Sequence, residues 1–280
     1  MMGQGKFVQR ILFFLALSAV SSLILITVFI FLEGLPLIIH TGLKDFIFST
    51  HWAPTKGHFG IAAMIVSSVL VTLGAMVIGV PLGLACAIVL AEFSPEGLRR
   101  ILKPTLELLA GIPSVVYGFL GVIWLVPLIR DYLGGPGLSL LAGSMILGIM
   151  ILPTIISISI DALTAVPNLY REGSIALGAT RWQTVKGVVL PAASSGIITA
   201  IILGMGRAIG ETMAVIMVAG NALQLPSSFL DPVRTLTSNI ALELGYAAGR
   251  HREALFATGI VLFVIIMVLN LSATLITRRR

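Results

Sequence analysis

Six long apolar segments separated by short polar loops constrain the fold of this chain more than any other feature. A helix needs about 20 apolar residues to cross the hydrocarbon core of a bilayer, and each segment reaches that length. Only helices or closed barrels satisfy their backbone hydrogen bonds in lipid. We therefore predict an all-α membrane protein with six transmembrane helices. The segments lie at about residues 11–32, 61–91, 106–129, 138–160, 195–220 and 254–276.

The composition excludes a water-soluble fold. The chain of 280 residues is 57% hydrophobic and 11% charged, whereas soluble domains carry about 25% charged residues. Its single cysteine, Cys86, excludes an internal disulfide. A net charge of +6 is compatible with nucleic-acid binding, but the basic residues are spread among short loops. We therefore predict the lipid bilayer as its surroundings and no nucleic-acid partner.

The distribution of basic residues predicts the orientation of the helices. Eleven lie at one set of helix ends and six at the other, and Arg207 alone remains within a span. The richer side is expected to be cytoplasmic, which places both termini and residues 171–191 inside. The first apolar segment exceeds the about 7–15 residues of a signal-peptide core, so we predict an uncleaved helix. The richer set is Lys6, Arg10, Arg99, Arg100, Lys103, Arg171, Arg181, Lys186, Arg278, Arg279 and Arg280; the poorer set is Lys44, Lys56, Arg130, Arg234, Arg250 and Arg252.

Residues 171–191, REGSIALGATRWQTVKGVVLP, form a polar loop between two apolar segments. Glycine accepts the left-handed conformation that ends a helix, so Gly178 predicts a helix stop. Thr180 is then suited to cap a second short helix. We expect apolar contacts to a partner from Leu177, Trp182 and Val185, and charges from Arg171, Arg181 and Lys186. The alternative is an ordinary loop helix lying at the lipid headgroups.

Glu172, Gly178 and Leu190-Pro191 stand at the spacing E-x5-G-x11-LP. This pattern resembles the coupling loop, or EAA loop, of permease subunits in bacterial ABC importers. The two alanines of that family are replaced here by Gly173 and Ser174. The resemblance implies that the loop docks into a cleft on a separate ATP-hydrolysing subunit. The residues it assigns to that contact are Arg171, Glu172, Gly178, Trp182, Leu190 and Pro191.

The chain carries no phosphate-binding loop of its own. No stretch matches G-x-x-x-x-G-K-[ST], because Gly5-Lys6 is followed by Phe7. ATP and magnesium are therefore expected on a partner ATPase. We predict no cofactor, no metal site and no catalytic residue on this chain.

Arg207 and Glu211 are charged residues in the middle of the fifth apolar segment. An arginine at the bilayer centre costs about 2.5–3.5 kcal/mol on insertion scales and usually marks an ion or substrate path. A spacing of four places both side chains on one helix face, where they can pair. A guanidinium also matches the oxygens of a tetrahedral oxyanion. The pair therefore predicts either a substrate contact or a structural ion pair that fixes the rotation of the helix.

Three segments together resemble the permeases of phosphate-specific ABC importers: RAIGETMAV from Arg207, GIPSVVYGF from Gly111, and residues 171–191. The FSTHWAP segment of residues 48–54 and the additional first helix favour the PstC type over the PstA type. The resemblance implies a role for Arg207 and Glu211 in phosphate passage. It further implies a bacterial inner-membrane location, a homologous permease partner, two copies of an ATP-binding subunit and a soluble phosphate-binding protein.

Three alternatives remain open at this point. A permease of the same architecture for sulfate or molybdate would also use a buried arginine. A gradient-driven transporter predicts an inverted repeat, and a membrane enzyme predicts clustered catalytic groups; neither pattern is evident. We divide the chain into a first helix with its outer loop, 1–60, and a permease domain, 61–280. Within the outer loop 221–253, the apolar period predicts a short helix in 235–248.

Overall fold

The protein is a bundle of helices in a computed structural model. The backbone is described from Met2 to Arg278, and side chains are described for residues 9–272 and Leu275. Two short strands pair antiparallel, Trp52 with Phe59 and Ala53 with His58. The helices are α1 (Met2–Thr41), α2 (Leu43–Phe48), α3 (Ala62–Ile88), α4 (Glu96–Ala110), α5 (Ser114–Leu120), α6 (Val126–Leu133), α7 (Leu140–Thr164), α8 (Asn168–Ala176), α9 (Arg181–Thr184), α10 (Leu190–Ala192), α11 (Ser194–Gly210), α12 (Met213–Val218), α13 (Leu236–Glu243) and α14 (Arg250–Arg278); the strands are β1 (Trp52–Ala53) and β2 (His58–Phe59).

Five helical stretches within the described residues are long and apolar enough to cross a membrane, and a bent pair makes a possible sixth. The bent pair joins Arg181–Ala192 to Ser194–Gly210 at an angle of 71°. This confirms the all-α membrane fold. The five stretches are Gln9–Thr41, Ala62–Phe93, Ser114–Leu133, Leu140–Thr164 and Arg250–Ser272.

The predicted third span, 106–129, is wrong at its start. Residues 106–110 belong to α4, an amphipathic helix with no buried residue, and the apolar span begins at Ser114. Pro113 separates the two helices, since the residue before a proline is disfavoured in the helical conformation. Apolar composition alone did not distinguish the end of α4 from the start of the span.

Helices α3 and α7 pack closely along glycine-lined faces. A Cβ at Gly79 would lie 2.8 Å from the Ile151 side chain and 3.0 Å from the Gly148 carbonyl oxygen. Small residues permit this approach between membrane helices. Helix α3 continues without a break through Gly79, Pro81 and Gly83. The glycines therefore serve packing between α3 and α7.

We call residues 94–113 and 165–193 the proximal end of the bundle, and residues 42–61 and 219–249 the distal end. At the distal end, α13 is buried and Thr235 caps it by accepting a hydrogen bond from the Ser238 N–H. This confirms a short helix within 235–248. The aromatic residues Trp52 and Phe59 of the distal loop are buried against α13 and α14.

Helix α1 packs against α14 near the distal end. The rings of Phe29 and Phe256 meet edge to face, and a Cβ at Gly34 would lie 2.6 Å from the backbone nitrogen of Ala257. This contact lies between the two predicted units, 1–60 and 61–280. The division of the chain into these two units stays a prediction. Of the residues counted for orientation, the side chains of Lys6 and Arg278 and all of Arg279 and Arg280 lie outside the described residues.

Candidate functional site

Arg207 lies near the end of α11, half-buried, where three segments of the chain meet. One terminal nitrogen, Nη1, donates to the Thr154 hydroxyl of α7 at 3.2 Å. The other, Nη2, donates to the Ala110 carbonyl at the end of α4, also at 3.2 Å. The break between α4 and α5 leaves that carbonyl free to accept. The guanidinium is thus oriented by two neutral oxygens.

The charge of Arg207 has no carboxylate partner among the described residues: none of the ion pairs within 4.0 Å involves it. Arg99 is likewise half-buried without a carboxylate in the described part of the chain and donates to the carbonyls of Leu90 and Ala91. Two further half-buried arginines differ from Arg207 in this respect. Arg171 pairs with Glu92 at 2.7 Å, and Arg234 pairs with Glu243 at 2.8 Å. An unneutralised cation inside an apolar bundle is costly, so it is suited to attract an anion.

The surroundings of Arg207 leave space for a ligand. A Cβ built at Gly206 or Gly210 would meet no atom within 4 Å. Leu203, one turn earlier on the same helix face, is exposed. The guanidinium therefore borders an open side of α11, and two of its five N–H donors are engaged by the hydrogen bonds to Thr154 and Ala110.

The expected pairing of Arg207 with Glu211 on one helix face is not formed. Helix α11 ends at Gly210, and Glu211 adopts an extended conformation with ψ 132°. Its Oε1 instead accepts a hydrogen bond from the Ala214 N–H at 3.1 Å, at the start of α12. Its carbonyl accepts from the Thr237 hydroxyl of α13 at 2.9 Å. The i, i+4 pairing of Arg207 and Glu211 does not form because the helix ends between the two residues.

The 171–191 loop folds as two short helices joined at Gly178, as predicted. Gly178 has φ +88°. Its N–H bonds to the Ile175 carbonyl, and the Ala179 N–H bonds to the Ser174 carbonyl, which together form a Schellman motif. Thr180 caps α9 in a reciprocal capping box with Gln183. Local sequence therefore decides the shape of this loop.

The loop presents an apolar surface at the proximal end. Leu177 is 91% exposed and Trp182 is 55% exposed, and Glu172 is exposed beside them. Val185 was expected on this surface, but it is 3% exposed and packs inside. Leu190 and Pro191 lie in α10, directly before the 71° bend into α11. Leu169, Tyr170 and Ile175 extend the exposed apolar surface.

Arg171 was expected to offer its charge to a partner, but it points into the bundle. Its Nε and Nη2 donate to the two carboxylate oxygens of Glu92 at 3.1 and 2.7 Å. It also donates to the carbonyls of Val166 and Leu163 at 2.6 and 2.8 Å. The sequence analysis missed Glu92, although a lone carboxylate at the end of an apolar segment on the basic side was a usable signal.

A second buried polar cluster at the distal end was also missed. The Glu243 carboxylate accepts hydrogen bonds from the Trp52 indole N–H at 2.9 Å and from Arg234 at 2.8 Å. His251 Nε2 lies 2.8 Å from the same carboxylate. The cluster joins β1, α13 and α14. Glu243 follows Leu236 by seven residues, so a position on the buried face of α13 could have been anticipated.

Comparisons with known proteins show the family to which the chain belongs. The family model "Binding-protein-dependent transport system inner membrane component" matches residues 79–280. The chain is 43% identical to the probable ABC transporter permease protein YqgH of Bacillus subtilis, over 95% of this chain and 88% of the relative. It is 37% identical to the phosphate transport system permease protein PstC of Pasteurella multocida, over 84% of this chain and 80% of the relative.

A solved structure gives the same fold over nearly the whole chain. It is the bacterial ABC transporter involved in the import of the acidic polysaccharide alginate, with a TM-score of 0.65 and 18% identity. The match covers 95% of this chain and 96% of that chain. At that identity it supports the fold of an ABC importer permease and nothing about the substrate. Together with the family match, these findings establish that the chain belongs to the inner membrane components of binding-protein-dependent transport systems.

Proposed function

We propose that this chain is a permease subunit that conducts inorganic phosphate inward, in an importer driven by ATP hydrolysis on a partner subunit. The observation that carries the proposal is Arg207, a half-buried arginine that no described carboxylate neutralises. Relatives named as PstC phosphate permeases support phosphate as the anion.

The physical basis is the fit of a guanidinium to an oxyanion. Its planar donors form short, charge-assisted hydrogen bonds to phosphate oxygens. A permeating anion must also be released, so the site has to orient the arginine without binding the anion too tightly. Neutral partners, the Thr154 hydroxyl and the Ala110 carbonyl, orient Arg207 without cancelling its charge. We assign to the Glu211 carboxylate, at the helix break, the role of accepting a proton from a protonated phosphate.

The partners follow from the two ends of the bundle. The exposed apolar surface around Leu177 and Trp182, with Glu172 beside it, is suited to a cleft on an ATP-binding subunit, of which two copies serve two permeases. The second permease is a homologous chain, and the path runs between the two. A soluble phosphate-binding protein delivers the ligand to the distal end. The importer lies in the bacterial inner membrane with both termini cytoplasmic.

The first test is uptake of radiolabelled phosphate, with sulfate as the competing probe, in cells that lack other phosphate importers. Replacing Arg207 with Gln removes the two charge-assisted hydrogen bonds that a guanidinium fork donates to an oxyanion, which together are worth about 3 kcal/mol or more. Since about 1.4 kcal/mol is a factor of ten, we expect uptake below saturation to fall about 100-fold. Arg130→Gln, which removes an exposed arginine at the far end of α6, should leave uptake unchanged.

Two outcomes would contradict the proposal in different ways. Uptake of sulfate in place of phosphate would keep the permease and overturn its substrate. Unchanged phosphate uptake in a membrane-inserted Arg207→Gln protein would remove Arg207 from the path. For the loop, Glu172→Lys should abolish co-purification with the ATP-binding subunit or uncouple its hydrolysis; a fully coupled variant would refute that contact.

A further inference from the structure

Arg171 is the point at which three elements of the proximal end are joined. Arg171 lies in α8, and its guanidinium donates hydrogen bonds to Glu92. Glu92 lies in the π-helical turn Val89–Phe93 that follows α3. Arg171 also donates to the carbonyls of Leu163 and Val166 at the end of α7. One side chain therefore fixes the 171–191 loop to the ends of both α3 and α7.

The geometry of this junction is that of a rigid connection. The Arg171 and Glu92 side chains are 19% and 9% exposed, so solvent screens their charges little. Both carboxylate oxygens are engaged by two guanidinium nitrogens, the bidentate arrangement with the highest directional specificity. By contrast, the Lys103–Asp161 pair at the same end of the bundle is more exposed, at 36% and 60%, and does not include the loop.

The junction is continuous with the Arg207 site through α7. Leu163, which accepts from Arg171, and Thr154, which accepts from Arg207, lie nine residues apart in the same helix. That separation is about 13 Å along the axis. Helix α3 is locked to α7 by the glycine-lined contact at Gly79. A displacement of the loop would therefore reach both helices and, along α7, Thr154.

The local backbone provides room for such a displacement. The residues lining a small cavity of about 110 Å³ include Glu92, Arg171 and Val185. A second π-helical turn, Val185–Val189, follows α9 directly. π-Helical turns are uncommon and frequently lie at functional positions, where the helix accommodates one additional residue per turn. The first turn contains Glu92, and the second begins at Val185, which lines the same cavity.

We infer that the Arg171–Glu92 pair is a positioning device that transmits movement of the 171–191 loop to α3 and α7. Arg171 contacts neither ATP nor the transported anion in this assignment; it acts through the helices that it joins. The inference rests on the proposed function, because it assumes that an ATPase moves the loop. It adds a residue, Glu92, and a direction of transmission to that proposal.

The test uses the native Cys86, the single cysteine of the chain, which is exposed on α3 six residues before Glu92. The full importer, with cysteine-free partner subunits, is labelled at Cys86 with an environment-sensitive fluorophore and reconstituted in lipid vesicles. ATP is added, and the change in probe emission, ATP hydrolysis and uptake of radiolabelled phosphate are measured on the same preparation.

Glu92→Gln keeps the shape of the side chain and removes its charge. We expect it to reduce the ATP-induced emission change and the phosphate transported per ATP at least about fivefold, the lower range of typical coupling between sites. ATP hydrolysis should stay within about twofold of wild type, since the cleft contacts remain. Arg171→Lys keeps the charge without the fork and should give a smaller loss. Asp161→Asn, which breaks the nearby exposed pair, should behave as wild type.

The outcomes distinguish a failure of the Arg171–Glu92 junction from a failure of the proposed substrate. A full ATP-induced emission change in Glu92→Gln, or an equal loss in Asp161→Asn, overturns the junction. A wild-type probe that does not respond to ATP overturns it as well, because α3 then does not follow the loop. A wild-type importer that shows the emission change but takes up no phosphate overturns the proposed substrate and leaves the junction supported. If the Glu92→Gln importer does not assemble, Arg171→Lys is the deciding variant. A partial loss of its ATP-induced emission change supports the junction, and a full emission change overturns it.

Discussion

The carboxylate of Glu243 is expected to be the largest single polar contribution to the stability of the distal end. It is 9% exposed and receives hydrogen bonds from Trp52 and Arg234, with His251 at 2.8 Å. Glu243→Gln keeps the volume but leaves the Arg234 guanidinium without a counter-charge. Breaking a buried pair in this way costs about 3–5 kcal/mol, and we expect the lower value because Arg234 is 16% exposed.

Three companion variants separate charge from packing. Trp52→Phe removes one donor to a charged acceptor and should cost about 1.5 kcal/mol. The double variant Glu243→Gln/Arg234→Met removes both charges and should recover most of the loss, since apolar replacement of a buried pair is often close to neutral. Asp131→Asn breaks an exposed pair, at 57% and 62%, and should cost less than about 0.5 kcal/mol.

The assay is thermal unfolding of the purified protein in lipid nanodiscs, followed by tryptophan fluorescence. At about 2 °C per kcal/mol for a chain of this size, Glu243→Gln should lower the midpoint by about 6 °C. A Glu243→Gln midpoint within about 1 °C of the Asp131→Asn midpoint would refute the reasoning. In that case the desolvation of the two charges in the folded state already cancels their attraction.

Three further predictions concern the backbone and pH. Gly79→Ala places a Cβ 2.8 Å from a buried isoleucine of α7 and should lower the unfolding free energy by about 1–3 kcal/mol. Gly178→Ala, at φ +88°, should cost about 1–2 kcal/mol in the same assay, whereas Gly173→Ala, inside α8 with no atom within 4 Å, should be neutral or stabilising. The pKa of Asp231 is lowered by hydrogen bonds to its carboxylate. The bond from the Ser227 hydroxyl has the largest effect, followed by those from the backbone N–H groups of Ser227 and Ser228. The stability that Asp231 contributes is therefore complete above its ordinary pKa of 3.8 and is lost as pH falls through the lowered pKa. Asp231→Asn should remove this part of the pH dependence of the unfolding midpoint in that acid range.

Much of the membrane architecture was predictable because it depends on local properties. An apolar run of sufficient length must be a helix in lipid, so five spanning stretches followed from the sequence. The predicted sixth is reached only if the pair of helices bent by 71° counts as one span. The two helices of the 171–191 loop were predictable for a similar reason. A left-handed residue and an N-cap are decided by side chains within a few positions, here Gly178 and Thr180.

Most of the predictions that failed required a contact or a break that the local sequence does not encode; the start of the third span, which Pro113 marks, is the exception. Arg207 and Glu211 have the spacing of a helical pair, but α11 ends between them and their side chains find other partners. Arg171 is surrounded by exposed loop residues, yet its guanidinium meets Glu92, which is 79 residues earlier. The Trp52 contact with Glu243 spans 191 residues.

The membrane surroundings of this protein, its helices and the shape of its 171–191 loop can be predicted from the amino-acid sequence, because hydrophobic length and capping act over a few residues. Which charges are neutralised depends on how the helices pack in three dimensions. Burial makes an unpaired charge costly, so partners are chosen by what the packed helices bring together and not by spacing. Arg171 and Arg234 acquire carboxylates in this way, whereas the position of Arg207 between Thr154 and Ala110 leaves its charge without one among the described residues.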